Sequence, residues 1–336
     1  LQGVAKRPEM GPPGPCRGVS EAAYHLGPRL QVPLPLPCLE NTTMSAITKT
    51  APPALLRQAL AAPEIVVYPA IFDALSARIA QEVGFKTVLL GGYSMAASLG
   101  LVQPLYSLEE LVRITRYVSD FNDIPIMVDA GAGFGEPLHV VRAVQQLEKA
   151  GASGIHIEDQ AYPKRAHYHI GIEHLVSAEE MCAKIRAACN ARRNHDVVIV
   201  ARTDAVHVYG YEEGVRRANL YREAGADVIR ISPQTLEQAR TAPRDVPAPV
   251  VWGAPPGNPK GRPVMSAAEA QALGYRCISW SQIALVNSVR AMTEGLTNLY
   301  NGDPGDASLY SEYKGRIEKL LDIESMLKLE GATVEH

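Results

Sequence analysis

Eight short apolar runs, each followed by a longer polar or amphipathic stretch, constrain this chain more than any other feature. They fall at 65–68, 87–90, 124–128, 154–158, 197–201, 228–231, 249–252 and 277–279. Strands that alternate with helical patterns bury both faces most readily in a parallel sheet whose crossovers are helices. The helical patterns lie at 107–117, 137–149, 178–191, 211–224 and 266–273. Three connections into a new strand repeat one phrase, Glu82-Val83-Gly84-Phe85, Lys149-Ala150-Gly151-Ala152-Ser153 and Glu223-Ala224-Gly225-Ala226-Asp227. In each the glycine is expected to supply a left-handed helix cap. Repetition of one unit and a count of eight favour an α/β fold of the (β/α)₈ TIM-barrel type over an open doubly wound sheet. Past the eighth run, 282–296 and 309–327 read as further helices, more than closure needs. They pack either on a partner subunit or as a lid on the same chain.

Composition removes several function classes. Lys and Arg total 33 against 36 Asp and Glu, a net charge of −3. That leaves no basic excess for phosphate neutralisation, so nucleic acid is not an expected partner. No apolar run approaches the roughly 18 residues that cross a bilayer, so a membrane is not expected either. Cys16, Cys38, Cys182, Cys189 and Cys277 form no C-x-x-C pair. An odd count without such pairs implies neither a disulfide framework nor a zinc cluster and fits a reducing compartment, the cytoplasm. Residues 1–43 hold eight of the 25 prolines and are expected to form a disordered or extended leader, since proline denies helical dihedrals and backbone donors. The segment from Met44 onward reads as a natural start, which makes 44–336 one barrel domain with a C-terminal helical extension.

In a barrel the chemistry gathers where strands end. After the third run stands Asp129, followed by Ala130-Gly131-Ala132-Gly133-Phe134-Gly135; after the fourth, Glu158-Asp159-Gln160 and then Lys164-Arg165-Ala166-His167-Tyr168-His169; after the fifth, Arg202-Thr203-Asp204. Two carboxylates on neighbouring strand ends are hard oxygen ligands of the kind Mg²⁺ takes, and a guanidinium can clamp a carboxylate or phosphonate through paired donors. The glycine run lacks both the dinucleotide spacing and the Lys-Ser/Thr ending of a phosphate loop. The segment from Trp252 to Pro263, with four prolines and three glycines, is a stiff, tightly turning loop at the same face and is expected to shape specificity.

These residues resemble the isocitrate lyase/phosphoenolpyruvate mutase superfamily over roughly 52–330. The resemblance rests on Phe72-Asp73-Ala74-Leu75-Ser76-Ala77, on the run from Gly91 to Gly100, on Val128-Asp129 with Gly133-Phe134-Gly135, on Gly154-Ile155-His156-Ile157-Glu158-Asp159-Gln160, on Pro163-Lys164-Arg165 and on Ala201-Arg202-Thr203-Asp204-Ala205. It implies a barrel whose terminal helices are exchanged in a homo-oligomer, usually a tetramer, with Mg²⁺ and a small α-oxycarboxylate substrate. By resemblance Asp129 and Glu158 hold the metal's hydration shell. Arg202 and the backbone of Gly91, Gly92 and Tyr93 grip the substrate carboxylate, and Lys164 begins a gating loop.

The departures matter equally. Gly131 stands where the family has a second metal-strand Asp, Gln103 where an Asp follows the Ser-Leu-Gly-Leu run, and Ala166 where the lyases carry a loop Cys. Ser232 replaces a Glu, Gly253 an Asn and Leu90 a Ser. His167, Tyr168 and His169 are the candidates to replace the cysteine, with His167 favoured because an imidazole titrates near working pH. Glu173 and His174 are expected to pair across the loop or to cap the helix that starts at Ala178. The expected function is Mg²⁺-assisted C–C cleavage of a small 2-hydroxy or 2-oxo (di)carboxylate through an enolate. The alternatives are phosphonopyruvate mutase or hydrolase chemistry, and a degenerate member that binds a carboxylate without turnover.

Overall fold

A computed structural model describes residues 50–253 and 261–334. The proline-rich leader at 1–43, Met44, Cys16, Cys38 and positions 254–260 of the loop after the seventh strand lie outside the described residues. Eight parallel strands close in sequence order into one barrel: β1 Val66–Ile71, β2 Val88–Leu90, β3 Ile126–Asp129, β4 Gly154–Glu158, β5 Val198–Thr203, β6 Val228–Ile231, β7 Val250–Gly253 and β8 Cys277–Trp280, with β8 paired back to β1. All eight expected runs are strands, shifted at their ends by at most a few residues.

Local chemistry explains the helices between them. Asp73 and Ser107 start the helices Ala74–Val83 and Leu108–Phe121 as capping boxes, each exchanging hydrogen bonds with the residue three positions on, which satisfies orphan amides of the first turn. Gly84, Gly151 and Gly225 have φ of 114°, 100° and 112°, the conformation expected of the repeated phrase. Helix Leu236–Asp245 has no counterpart in the apolar pattern. Its Pro243 weakens the helical reading, and its buried face is only Ala239 and Ala242.

Two apolar layers fix the barrel. One lies between sheet and helices, with Val88, Ile126, Leu147, Ile185 and Tyr221 in it. The other fills the lower interior, where Tyr68, Leu89, Met127, Val200 and Val251 meet Leu56. Leu56 belongs to helix Pro52–Ala61 and is fully buried. It packs among the first residues of the strands, Val66, Val198, Val228 and Cys277, so this helix stops the N-terminal end of the barrel. Burying a leucine there contributes about 2 kcal/mol.

The extension departs from expectation in its detail. Helix Ile283–Tyr300 runs longer than expected, and the stretch read as one helix at 309–327 is two, Ala307–Leu320 and Ile323–Thr333. The break falls at Asp322, whose φ of 53° is left-handed; Asp tolerates that conformation better than most side chains. Among the described residues no helix is long and apolar enough to cross a membrane.

Candidate active site

The C-terminal ends of the strands surround a cavity of about 220 Å³, lined among others by Gly91, Gly92, Tyr93, Gln103, Asp129, Lys164, Tyr168 and Arg202. That is below the roughly 300–1,000 Å³ usual for drug-sized ligands and suits a small organic acid. Six of the eight residues singled out for catalysis, binding or metal line this cavity; Glu158 does not line it but contacts Lys164 and Arg202, which do, and His167 stands apart from it. The larger cavity of about 630 Å³ lies elsewhere, beside Pro52, Lys149 and Arg193, away from the strand-end charges.

Strand register places the charges. Glu158, Arg202 and Arg230 pair in one row across β4, β5 and β6, and paired residues of parallel strands share a face. Glu158 is buried and meets Lys164 Nζ at 2.7 Å and Arg202 Nη1 at 3.3 Å. Neither of its oxygens has a partner in hydrogen-bond geometry, so the cations hold it by charge while leaving its acceptor capacity open. Arg202 forks onto Asp204, with Nε to Oδ1 and Nη2 to Oδ2 both at 3.0 Å, and Gln160 donates to the same carboxylate at 2.6 Å. Burial pulls the Arg202 guanidinium down, but Asp204, Glu158 and Asp129 outweigh it and hold it above its ordinary value. Burial likewise raises Asp204, yet Arg202 and Gln160 bring it to about 2.

Asp129 accepts from the Gly131 amide at 3.0 Å. Burial pushes this carboxyl up, and Lys164 and Arg202 more than reverse that, so it is an anion at neutral pH. Beneath it His156 is buried, with both ring nitrogens lacking a hydrogen-bond partner. Burial and Arg230 drive it down to about 3, which keeps it neutral. Gly91 closes β2 onto helix Gly92–Ser98, and its own N–H donates to Ile71 O at 3.2 Å. The first-turn amides of Gly92 and Tyr93 are then the ones left to meet an oxyanion. A Cβ at position 92 would lie 2.9 Å from Gln103 Nε2 and Tyr106 Oη, so the close approach requires glycine.

The loop residue that enters the cavity is Tyr168. His167 is exposed, its ring lying 6.2 Å from that of His174, and it does not line the cavity. The segment Ala166–Ile170 is one short 3₁₀ helix in which Tyr168 lines the cavity and His169 packs behind it, its ring 4.1 Å from that of Tyr168 and 5.7 Å from that of Tyr93. The Tyr168 hydroxyl donates to Gln103 Oε1, and Lys164 Nζ sits 4.1 Å from its ring centre. Burial, then Glu158 and Asp129, raise this phenol far above its ordinary value. It therefore keeps its proton. Gln103, noted as an altered position, is the residue that orients it. Glu173 pairs with His207 Nδ1 at 2.6 Å, and Ser177 caps the helix Ala178–Ala191.

Arg230 and Arg262 also line the cavity and were not expected there. A signal existed for the first. Within the run 228–231, Ile229 and Ile231 pack against the helices, and strand alternation then turns Arg230 into the barrel.

The profile of the phosphoenolpyruvate phosphomutase family matches residues 56–300. The chain belongs to that family. It is 36% identical over 255 residues to a 2,3-dimethylmalate lyase of Eubacterium barkeri, spanning 74% of this chain and 86% of that one. It is 43% identical over 202 residues to a 2-methylisocitrate lyase of Aeropyrum pernix, spanning 60% and 65% respectively. A phosphonopyruvate hydrolase crystallised with oxalate and Mg²⁺ superposes with a TM-score of 0.75 at 28% identity, over 85% of this chain and all of that one. The chain is thus an enzyme of the isocitrate lyase/phosphoenolpyruvate mutase superfamily, on the barrel expected for it.

Proposed function

We propose that this enzyme cleaves a C–C bond in a small 2-hydroxy or 2-oxo (di)carboxylate and carries the electrons of the broken bond as an enolate. The observation that supports this most is the convergence of Asp129, Lys164 and Arg202 on one small cavity beside Gly92 and Tyr93, with buried Glu158 in contact with Lys164 and Arg202. Arg202 and those amides hold the carboxylate of the substrate and the negative charge that grows next to it. Lys164 adds a positive charge at the same end. Tyr168 keeps its proton and is oriented by Gln103, so it delivers that proton to the carbanion once the leaving fragment departs. The segment that carries Lys164 and Tyr168 excludes water that would quench the enolate early.

Mg²⁺ fits the residues present as a hydrated ion. Among the described residues no three His, Cys, Asp or Glu side chains cluster at metal-binding spacing, which disfavours a cage of direct protein ligands. Asp129 and the two open acceptors of Glu158 suit the waters that Mg²⁺ retains, and these two residues would hold it. Bound there, the ion supplies Lewis-acid stabilisation of developing oxyanion charge.

The exposed apolar stripe Val286, Val289, Met292, Leu296 and Leu299 on helix Ile283–Tyr300 supports a homo-oligomer in which a second copy covers these helices, as subunit exchange would do. Unpaired Cys182, Cys189 and Cys277 fit a cytoplasmic location.

Turnover of 2-hydroxy and 2-oxo dicarboxylates with Mg²⁺, assayed beside phosphonopyruvate, tests the reaction. Release of a 2-oxo acid from the former supports C–C cleavage. Turnover of phosphonopyruvate alone would replace it with P–C chemistry. Inertness towards all, with oxalate still bound, would leave a carboxylate-binding protein.

A further inference from the structure

The cavity wall formed by β6, β7 and the segment before helix Ala267–Ala272 carries two guanidiniums, Arg230 and Arg262, that among the described residues form no ion pair. Arg230 ends the register row begun by Glu158 and Arg202. Its Nε is buried without a hydrogen-bond partner, and among the described residues no carboxylate pairs with it. Arg262 reaches the same wall. Its Nε donates to Pro233 O at 3.0 Å and its Nη2 to Gly253 O at 3.3 Å, while its guanidinium lies 5.2 Å from the Trp252 ring centre. Backbone carbonyls and an aromatic face thus fix it in place without neutralising it.

The small residues at this wall make room for the arrangement. A Cβ at Gly253 would lie 2.9 Å from Arg230 Nη2, so the guanidinium rests directly on the glycine. Ser232, just past the end of β6, lines the cavity with a neutral hydroxyl. A carboxylate at 232 or a bulkier side chain at 253 would pair with Arg230 or displace it. The charges are then divided unevenly. Lys164 and Arg202 form ion pairs with Glu158 and Asp204, whereas Arg230 and Arg262 line the same cavity and among the described residues form no ion pair, Asp129 and Asp204 reaching Arg230 only at longer range. Burial and the neighbouring guanidiniums hold both below the ordinary arginine value, Arg262 at about 10. Both remain cationic at neutral pH. Unpaired buried cations are unfavourable unless an anion completes them.

We propose that Arg230 and Arg262 form a second anion subsite that selects substrates bearing a carboxylate at the end remote from the 2-hydroxy or 2-oxo acid group. The substrate class is a dicarboxylate spanning the cavity from the Arg202 end to the Arg230 end, and a chain ending in an amide or methyl group is rejected because it leaves both guanidiniums unanswered. This deepens the proposed function and rests on its reading of Asp129, Glu158 and Arg202.

The test compares matched pairs of 2-hydroxy and 2-oxo acids that differ only in a distal carboxylate or its amide. The full chain, Arg230→Gln, Arg230→Lys, Arg262→Gln and Gly253→Ala are assayed with Mg²⁺, and calorimetry follows oxalate, which represents the 2-oxo acid end alone. The wild type is expected to prefer the distal carboxylate by on the order of 100-fold in kcat/KM. Arg230→Gln should raise KM for that substrate by roughly 10- to 100-fold, leave the amide unchanged and leave oxalate affinity within about twofold, with Arg230→Lys in between. Gly253→Ala moves the guanidinium without removing charge, strains only the far end of a flexible side chain, and should reproduce part of the KM rise with the fold intact. It decides the matter if Arg230→Gln does not fold. Equal turnover of both members of a pair, or unchanged KM in Arg230→Gln and Gly253→Ala while wild type binds oxalate, overturns the subsite. Tighter competition by phosphonopyruvate or inorganic phosphate than by the dicarboxylate overturns its assignment to a carboxylate. Failure of the wild type to bind oxalate breaks the Arg202 end instead, and shows itself before any variant is made.

Discussion

On the β3–β5 side of the barrel mouth, Glu158 and Asp204 are tied to Lys164 and Arg202 by ion pairs between 2.7 and 3.3 Å. On the β6–β8 side Arg262 meets backbone carbonyls and an aromatic ring, and the Nε of Arg230 is without a hydrogen-bond partner; among the described residues neither forms an ion pair. On the first side Glu158 and Asp204 each already have a cation in contact; on the second neither guanidinium has a carboxylate in contact among the described residues. Side chains of the paired half should therefore serve stability and reaction together, whereas those of the unpaired half should serve recognition at little or no cost to the fold when removed.

The most severe way to break this contrast is Arg202→Gln. It removes the clamp and leaves Glu158 and Asp204 short of a cation, so kcat/KM should fall by roughly 100- to 1,000-fold in steady-state assays. A loss below about tenfold would place the carboxylate grip elsewhere.

Next comes Asp204→Asn, read as stability. Breaking a buried ion pair costs about 3–5 kcal/mol, and denaturant titration at pH 7 should show a loss of that order. The folded pKa of Asp204 is depressed to about 2 from an ordinary 3.8. Its stabilisation is therefore complete above about pH 4 and vanishes as pH falls through 2, so wild type and variant should converge over that interval. A constant gap would mean that packing, not charge, carries the effect.

Tyr168→Phe separates acid chemistry from grip. Removal of the proton donor should lower kcat by on the order of 100-fold with KM little changed, and the loss should exceed that of His167→Ala. The reverse ranking would return the proton to the imidazole. The smallest effect belongs to the other half of the mouth: Arg230→Met should change stability by less than about 1 kcal/mol, or raise it, because it exchanges an unanswered buried charge for apolar packing. A loss as large as that of Asp204→Asn would erase the distinction between the halves.

What the sequence makes legible follows the same division. The barrel could be read because each strand is a short apolar run and Gly84, Gly151 and Gly225 close the unit in the same left-handed turn. Asp129, Glu158 and Arg202 could be read because strand ends converge on one face whatever the loops do. Tyr168 could not, since Ala166–Ile170 is a single 3₁₀ turn in which neighbours differ only by azimuth. Arg262 could not, because its place depends on how the segment after β7 folds back over Trp252. Ser232 and Gly253 read as losses from a familiar pattern, yet Gly253 leaves the space on which the Arg230 guanidinium rests and Ser232 puts no acid beside it. The paired C-terminal helices read as one because a left-handed Asp322 leaves no mark in apolar periodicity.

Leu56 and its helix stop the lower end of the barrel, and this dictates traffic. With the floor shut, whatever enters the cavity must come and go at the opposite end, where Lys164 and Tyr168 are among its lining. Lys164 stands on that face tied to Glu158 at 2.7 Å.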